Sequence, residues 1–369
     1  MKLIDIIAGA RPNFMKIAPI IEALDTDAAS ELEYRLIHTG QHYDKTMSQS
    51  FFEQLGIPEP AVNFGVGGGS EAEQTAGIMI AYERLLIEKV SDLCLVVGDV
   101  TSTMACAITA KKMGVRVAHV EAGIRSGDMR MPEEINRMAT DILSDYFFTT
   151  SKTANTELRR CGIAEDRIFF VGNTMIDTLL KYREQFQPPP CWENIGLQEG
   201  RYLVLTLHRP ENVDEEDRLT ATLKAIADAA RGVLVVFPVH PRTARALEKV
   251  RVGFENLRFV NPLPYLEFNF LVSRALAVIT DSGGITEETT VMGIPCMTLR
   301  DSTERPETVT LGTNELVGSE PSSIAPALDR LLAGGWAKGE IPEKWDGKAG
   351  RRIIAALSRC LCDSGSRTC

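Results

Sequence analysis

Short apolar runs, each closed by glycine or a polar residue and followed by a stretch of helical period, recur along the chain. The first is Leu3 to Ala8, which stops at Gly9-Ala10-Arg11-Pro12 before a helical pattern that continues through Leu24. Comparable runs cover Tyr34 to His38, Leu93 to Val97, Val115 to Val120, Tyr146 to Thr149 and Ile168 to Val171, with a helix predicted to begin at Pro132. Such runs are too short for helices and suit strands buried on both faces. Alternation with helices predicts a parallel, doubly wound sheet.

Near Gln185 the alternation breaks at Phe186-Gln187-Pro188-Pro189-Pro190, which cannot continue a helix. It resumes at Tyr202 to Leu207, Val233 to Val239, Leu257 to Val260, Ala277 to Ile279 and Cys296 to Leu299. A chain of 369 residues exceeds what one core usually supports. The expected fold is α/β, with two Rossmann-like domains, residues 1–185 and 186–349, on either side of an interdomain cleft. A C-terminal helix and tail, residues 350–369, can cross back to the first domain.

Ligands of parallel sheets collect at the carboxyl ends of the strands. Arg11, Gln41, His42, Asp99, Glu121, His208, His240 and Ser282 all fall there. His38 and His119 lie within strands and read as satisfied core groups. Glu133 and Glu134 open the helix after the loop Arg125 to Met131, so Asp99, Glu121 and Glu133 form a candidate acid–base set, since neighbouring carboxylates push each other's pKa values apart. Taken singly, a helix cap explains Asp99 equally well, and dipole stabilisation explains Glu133 and Glu134. In Thr280-Asp281-Ser282-Gly283-Gly284, the N–H groups of Ser282, Gly283 and Gly284 are expected to face an anion such as a diphosphate. Glu287 and Glu288 follow, placed to accept hydrogen bonds from ribose hydroxyls, or simply to complement the helix dipole. Arg11, Lys16, Arg209, Arg242 and Arg305 are candidate cations.

Composition narrows the classes. The net charge of −10 argues against a general nucleic-acid or anionic-membrane surface, so phosphate recognition must be local. No apolar stretch is long enough to span a bilayer. The eight cysteines lie mostly in apolar segments without a repeated pair spacing and read as reduced thiols of a cytoplasmic protein. Cys360, Cys362 and Cys369 do not complete a tetrahedral set, so no metal is expected.

The motifs, taken together, carry a resemblance. Gly9-Ala10-Arg11-Pro12 with Lys16, Gly40-Gln41-His42, Gly98-Asp99, His119-Val120-Glu121-Ala122-Gly123-Ile124-Arg125, Pro132-Glu133-Glu134-Ile135-Asn136-Arg137 and Gly172-Asn173-Thr174 lie in the first half. Leu207-His208-Arg209-Pro210-Glu211-Asn212, Pro238-Val239-His240-Pro241, Thr280-Asp281-Ser282-Gly283-Gly284 and Thr303-Glu304-Arg305-Pro306-Glu307 lie in the second. In this order they resemble the non-hydrolysing UDP-N-acetylglucosamine 2-epimerases. The resemblance implies a GT-B-type fold, a homodimer, and interconversion of UDP-N-acetylglucosamine and UDP-N-acetylmannosamine. It implies further that Arg11, Lys16, Asp99, Glu121, Glu133 and His208 form the essential polar set. His240, Ser282, Gly283, Gly284, Glu288 and Arg305 would hold the nucleotide, and Gln41, His42 and Arg137 would join Arg11 and His208 as substrate contacts. The implied reaction needs no cofactor.

Three departures stand out. Val100 replaces a threonine frequent after Gly-Asp, Glu73 stands where relatives with an allosteric UDP-sugar site carry arginine, and the loop Asp128 to Pro132 is short, as in relatives that epimerise diacetamido-uronic acid nucleotides. The rival readings are a glycosyltransferase of the same fold, a hydrolysing epimerase and a non-catalytic UDP-sugar sensor. Gly98-Asp99-Val100 lacks the Gly-Asp-Arg of the hydrolysing type.

Overall fold

The computed structural model describes residues 1–26, 31–40, 54–239, 241–248 and 253–362. They form two compact units, Met1–Lys181 with Glu343–Cys369, and Tyr182–Pro342. In chain order the first contains β1 (Lys2–Ala8), α1 (Arg11–Leu24), β2 (Leu32–His38), β3 (Val62–Asn63), α2 (Glu71–Glu88), β4 (Leu93–Val97), α3 (Thr101–Lys112), β5 (Arg116–Val120), α4 (Pro132–Leu143), β6 (Tyr146–Thr149), α5 (Lys152–Arg160), β7 (Ile168–Phe170) and α6 (Thr174–Tyr182). The second contains β8 (Tyr202–Thr206), α7 (Glu216–Ala229), β9 (Leu234–Pro238), β10 (Leu257–Val260), α8 (Tyr265–Ser273), β11 (Ala277–Thr280), α9 (Gly283–Met292), β12 (Cys296–Thr298), α10 (Pro306–Thr310), β13 (Asn314–Leu316) and α11 (Ile324–Leu332); α12 (Ala349–Cys362) then returns to the first unit.

Both sheets are parallel throughout. The first has the order β3-β2-β1-β4-β5-β6-β7 and the second β10-β9-β8-β11-β12-β13. Strand order therefore reverses between β1 and β4 in one unit and between β8 and β11 in the other, and at such a reversal the loops diverge and leave a crevice at the carboxyl edge.

Alternation along the strands explains why the apolar runs are continuous. In the second sheet Leu203 and Leu205 pack with Leu219, Leu223 and Ile226 of α7 and with Leu328 of α11. Tyr202 and Val204 point the other way, onto Leu271 and Val272 of α8. Each fully buried aliphatic side chain contributes about 1.5–3 kcal/mol relative to exposure. In the first sheet Ile7, Ile37, Val96 and Val117 pack with Ile78 and Tyr82 of α2.

The returning α12 packs against α1. Their approach is so close at Gly350 that a Cβ there would lie 2.3 Å from the Pro19 carbonyl oxygen. The Gly350 N–H donates to Asp177 Oδ2 at 2.8 Å, and the indole of buried Trp345 donates to the Thr150 carbonyl at 3.0 Å. Among the described residues no helix is long and apolar enough to cross a membrane.

Candidate active site

In the first unit, charged side chains collect where the strand order reverses. After β1 the chain turns into α1, and Asn13 fixes the turn: its Oδ1 accepts from the Gly9 and Ala10 N–H groups, and its Nδ2 donates to Val97 O at the end of β4. One turn further along α1, Lys16 Nζ lies 2.7 Å from Glu121 Oε2, both side chains largely buried. Removing one partner of a buried ion pair typically costs about 3–5 kcal/mol. Gly98, at φ +71°, turns the chain after β4, and a Cβ there would lie 3.2 Å from Lys16 Nζ. Asp99 follows; its carboxylate is 2.5 Å from the Arg137 guanidinium and its carbonyl accepts from Asn136 Nδ2.

Helix α4 supplies this cluster with its polar face. Glu134, Arg137 and Asp141 are buried, whereas Ile135, Met138 and Ile142 on the same helix are exposed, an inversion of the usual amphipathic pattern. Burial pushes the Glu134 carboxyl up, but the Ser126 and Gly127 N–H groups and Arg137 outweigh it, leaving its pKa below the ordinary value. Deeper in, His119 Nδ1 lies 2.7 Å from Asp141 Oδ1 and Nε2 lies 2.8 Å from the Gly98 carbonyl. Asp141 Oδ2 accepts from the Gly123 N–H and pairs with Arg125. Glu121 has φ +70°, a left-handed conformation that costs a non-glycine residue about 1–3 kcal/mol. The N–H groups of Glu121 and Ala122 both donate to Phe148 O, which holds that conformation.

The second unit places its polar residues at the ends of β8 and β11. Asp281 is fully buried and accepts from the backbone N–H groups of His208 and Arg209 and from Asn212 Nδ2, while one oxygen lies 2.7 Å from His208 Nδ1. Burial raises the pKa of this carboxyl and these partners lower it by more, so it lies below the ordinary range. The ring of His208 is half exposed. The Ser282 N–H donates inward to Thr280 Oγ1, contrary to the expectation that it faces a ligand, because the threonine hydroxyl behind the turn reaches it first. The N–H groups of Gly283 and Gly284 have no partner among the described residues.

Glu287 and Glu288 are buried in α9 with different partners. Glu287 pairs with Arg305, at the start of α10. Glu288 accepts from the Tyr265 hydroxyl at 2.9 Å; burial and the neighbouring Glu287 push its pKa up to about 7, despite the hydrogen bonds from Tyr265 and Asn269. Glu304 shows the reverse: burial raises it, but Arg300 and Arg305 bring it down to about 2.

The model of the UDP-N-acetylglucosamine 2-epimerase family matches residues 24–358. The chain belongs to this family. It is 38% identical to the UDP-N-acetylglucosamine 2-epimerase of Methanocaldococcus jannaschii, across 97% of this chain and 99% of that one. It is also 38% identical to the UDP-2,3-diacetamido-2,3-dideoxy-D-glucuronate 2-epimerase of Pseudomonas aeruginosa, across 93% and 99%. The crystal structure of the M. jannaschii enzyme in complex with UDP-GlcNAc and UDP superposes with a TM-score of 0.85, covering 97% of this chain and 99% of that one. The Neisseria meningitidis UDP-GlcNAc 2-epimerase bound to UDP-GlcNAc gives 0.87 at 28% identity, covering 97% and 100%. The GT-B-type fold of the family is thus present in both sheets.

Of the site residues read from the sequence, Lys16, Asp99, Glu121 and Arg137 come together in the first unit of this 2-epimerase family member, and His208, Gly283, Gly284, Glu288 and Arg305 sit at the carboxyl edge of the second. Glu133, on the first turn of α4, is exposed, with no ion pair among the described residues. Arg11 is the first residue of α1. Gln41, His42 and His240 lie outside the described residues. The sequence reading passed over Asn13, Asp141, Asn212, Tyr265 and Arg300. Asp141 had a signal: Glu134, Arg137 and Asp141 share a helix face at spacings of three and four, and a charged face opposite an apolar one leaves open which is buried. Tyr265 and Arg300 had none, because their partners are distant in sequence or their segment reads as loop.

Proposed function

We propose that the chain interconverts UDP-N-acetylglucosamine and UDP-N-acetylmannosamine without releasing free sugar. The observation that carries this reading is the pair of carboxylates, Asp99 and Glu121, on adjoining strand ends, each held by a cation, in a chain of this family. The C2 proton of such a sugar is flanked by no carbonyl and is too weakly acidic for simple removal and return. Elimination avoids the difficulty: a carboxylate takes the proton from C2, the C2–H electrons form the C1–C2 double bond, and the C1–O pair leaves with the diphosphate. UDP then adds back to C1 of the 2-acetamidoglucal while a second acid delivers a proton to the opposite face of C2.

In this scheme Asp99, Glu121 and Glu133 provide the acid–base positions, Lys16 pairs with Glu121, Arg11 completes the essential polar set, and Gln41, His42 and Arg137 contact the sugar. Arg305, His208, His240, Ser282 and the N–H groups of Gly283 and Gly284 hold the diphosphate, where fixed donors stabilise the charge that develops on it. Glu288 accepts from the ribose hydroxyls. The enzyme acts in the cytoplasm as a homodimer. Ile80 and Ile87 of α2 and Ile135, Met138 and Ile142 of α4, all exposed, support self-association through this layer of the first unit; sedimentation at a monomer mass would remove that part.

Proton NMR of UDP-N-acetylglucosamine incubated with the protein alone tests the reaction. Product formed in heavy water should carry deuterium at C2, and an oxygen-18 label in the C1–O bridge should scramble into the non-bridging positions of the same phosphate. Product with neither label change excludes elimination. A second substrate, the UDP-diacetamido-uronate, is favoured by the short loop Asp128 to Pro132 and by the P. aeruginosa relative; faster turnover of that nucleotide would reassign the sugar and keep the chemistry.

A further inference from the structure

We infer that His119 is held as a doubly protonated imidazolium and that, with Asp141, it positions Asp99 and Glu121 for proton transfer, a role that rests on the proposed reaction. The argument begins with what the ring touches. Nε2 faces a peptide carbonyl, that of Gly98, which can only accept. Nε2 therefore carries a proton. Nδ1 faces Asp141 Oδ1 at 2.7 Å. A neutral ring would require that carboxyl to be protonated, but its other oxygen lies 2.7 Å from the Arg125 guanidinium and accepts from the Gly123 N–H. A cation at that distance keeps Asp141 a carboxylate, so Nδ1 carries a proton as well. The ring has no exposed surface, and Asp141 is buried with it, so water does not replace either partner.

The connections give the pair its task. His119 holds the Gly98 carbonyl, and the Gly98 N–H donates to Val120 O at 3.0 Å, so the turn that carries Asp99 is fixed at both ends of its glycine. Asp141 holds the Gly123 N–H, two residues beyond Glu121, whose left-handed backbone needs support on both sides. One ion pair thus ties the loop after β4 to the loop after β5. A neutral ring could keep only one of the two connections in the same geometry. His119 and Asp141 are positioning residues; neither is placed to touch substrate.

The test uses the full-length protein labelled with nitrogen-15 in histidine, with His119 assigned by the signals missing from His119→Gln. The expected spectrum shows both ring nitrogens of His119 protonated at the pH of turnover. Asp141→Asn, whose amide can donate to Nδ1, should convert the ring to the neutral form. The same variant should lower kcat at least about tenfold while KM for the UDP-sugar and Kd for UDP stay within about twofold, since oriented groups and not nucleotide contacts are lost. A neutral His119 in active wild-type enzyme overturns the inference and leaves the proposed reaction standing. Unchanged kcat in a folded Asp141→Asn overturns the positioning role. If Asp141→Asn does not fold, the wild-type spectrum alone decides the protonation. A chain that turns over no UDP-sugar removes the positioning role together with the reaction, whatever the spectrum.

Discussion

The two units use one device, an aspartate against His Nδ1, in opposite ways. In the first, both ring nitrogens of His119 are engaged inside the protein, at 2.7 and 2.8 Å, and the ring is a strut. In the second, Asp281 lies equally close to Nδ1 of His208 and is anchored by three further donors, but the ring is 46% exposed. Such an aspartate fixes the ring's orientation and which nitrogen carries the proton, and leaves Nε2 for a ligand. Burial of the far side of the ring, not the pair itself, separates the enclosed histidine from the one left open to a ligand.

The carboxylates differ in the same sense. Asp99 and Glu121 at the ends of β4 and β5, and Asp141 on α4, each lie against a cation. The second unit holds Glu304 and Glu287 that way but leaves Glu288 to a tyrosine and an asparagine. Around the ends of β4 and β5 each carboxylate is thus matched by a cation, whereas the second unit keeps in Glu288 an acceptor whose charge is not matched, as a site for neutral hydroxyls would.

The largest effect should come from removing basicity in the first unit. Asp99→Asn or Glu121→Gln is expected to slow epimerisation by at least about a hundredfold, the range of a lost acid or base, with UDP affinity by calorimetry unchanged. A large loss of UDP affinity in either variant would erase the division of labour between the units. Glu133→Gln sharpens it: the exposed side chain has no partner among the described residues, so a comparable loss of rate there identifies direct work on the substrate, not support of the cluster.

Next in size is Arg305→Ala, which removes the buried cation paired with Glu287 of α9. UDP binding should weaken by about 1.5–3 kcal/mol, the worth of a charge-assisted hydrogen bond. The same substitution breaks the buried ion pair with Glu287, which lowers the stability of the fold. Arg305→Ala combined with Glu287→Gln should therefore restore the fold's stability but not the affinity. Restored affinity in the double variant would show that Arg305 serves Glu287 alone.

How far the sequence reaches follows from this division. Both parallel sheets are legible, because strands buried on both faces are written as unbroken apolar runs, and several of the runs end next to a candidate site residue. The positions of Asp99, Glu121, His208 and the Ser282 turn follow from that alone. The pairing is not legible: Lys16 with Glu121 spans 105 residues and His208 with Asp281 spans 73, and nothing local selects these partners. The inward hydrogen bond of the Ser282 N–H is equally hidden, since Thr280 follows the apolar run Ala277 to Ile279 and nothing local shows that its hydroxyl faces back into the turn. Helix α4 misleads outright, because its period is helical but the apolar stripe lies outside.

The smallest effect concerns Glu288 and has a distinctive sign. In the folded chain its proton stays on until about pH 7; in the unfolded chain it leaves near the ordinary carboxylate value of about 4.3. The stability this group contributes is fully present below about pH 4 and is lost as pH rises through 7, because only the folded state must then ionise a buried carboxyl beside Glu287. Glu304, brought down to about 2, and Asp281, also lowered, act oppositely: their contribution is present at neutral pH and lost as pH falls. Glu288→Gln cannot ionise and keeps an acceptor for Tyr265. Ligand-free Glu288→Gln should therefore match wild type near pH 4.5 and exceed it at pH 8 by on the order of 2 kcal/mol in urea unfolding. If the two proteins keep a constant difference from pH 5 to 8, Glu288 is already ionised in the folded chain, and the contrast between the units is lost.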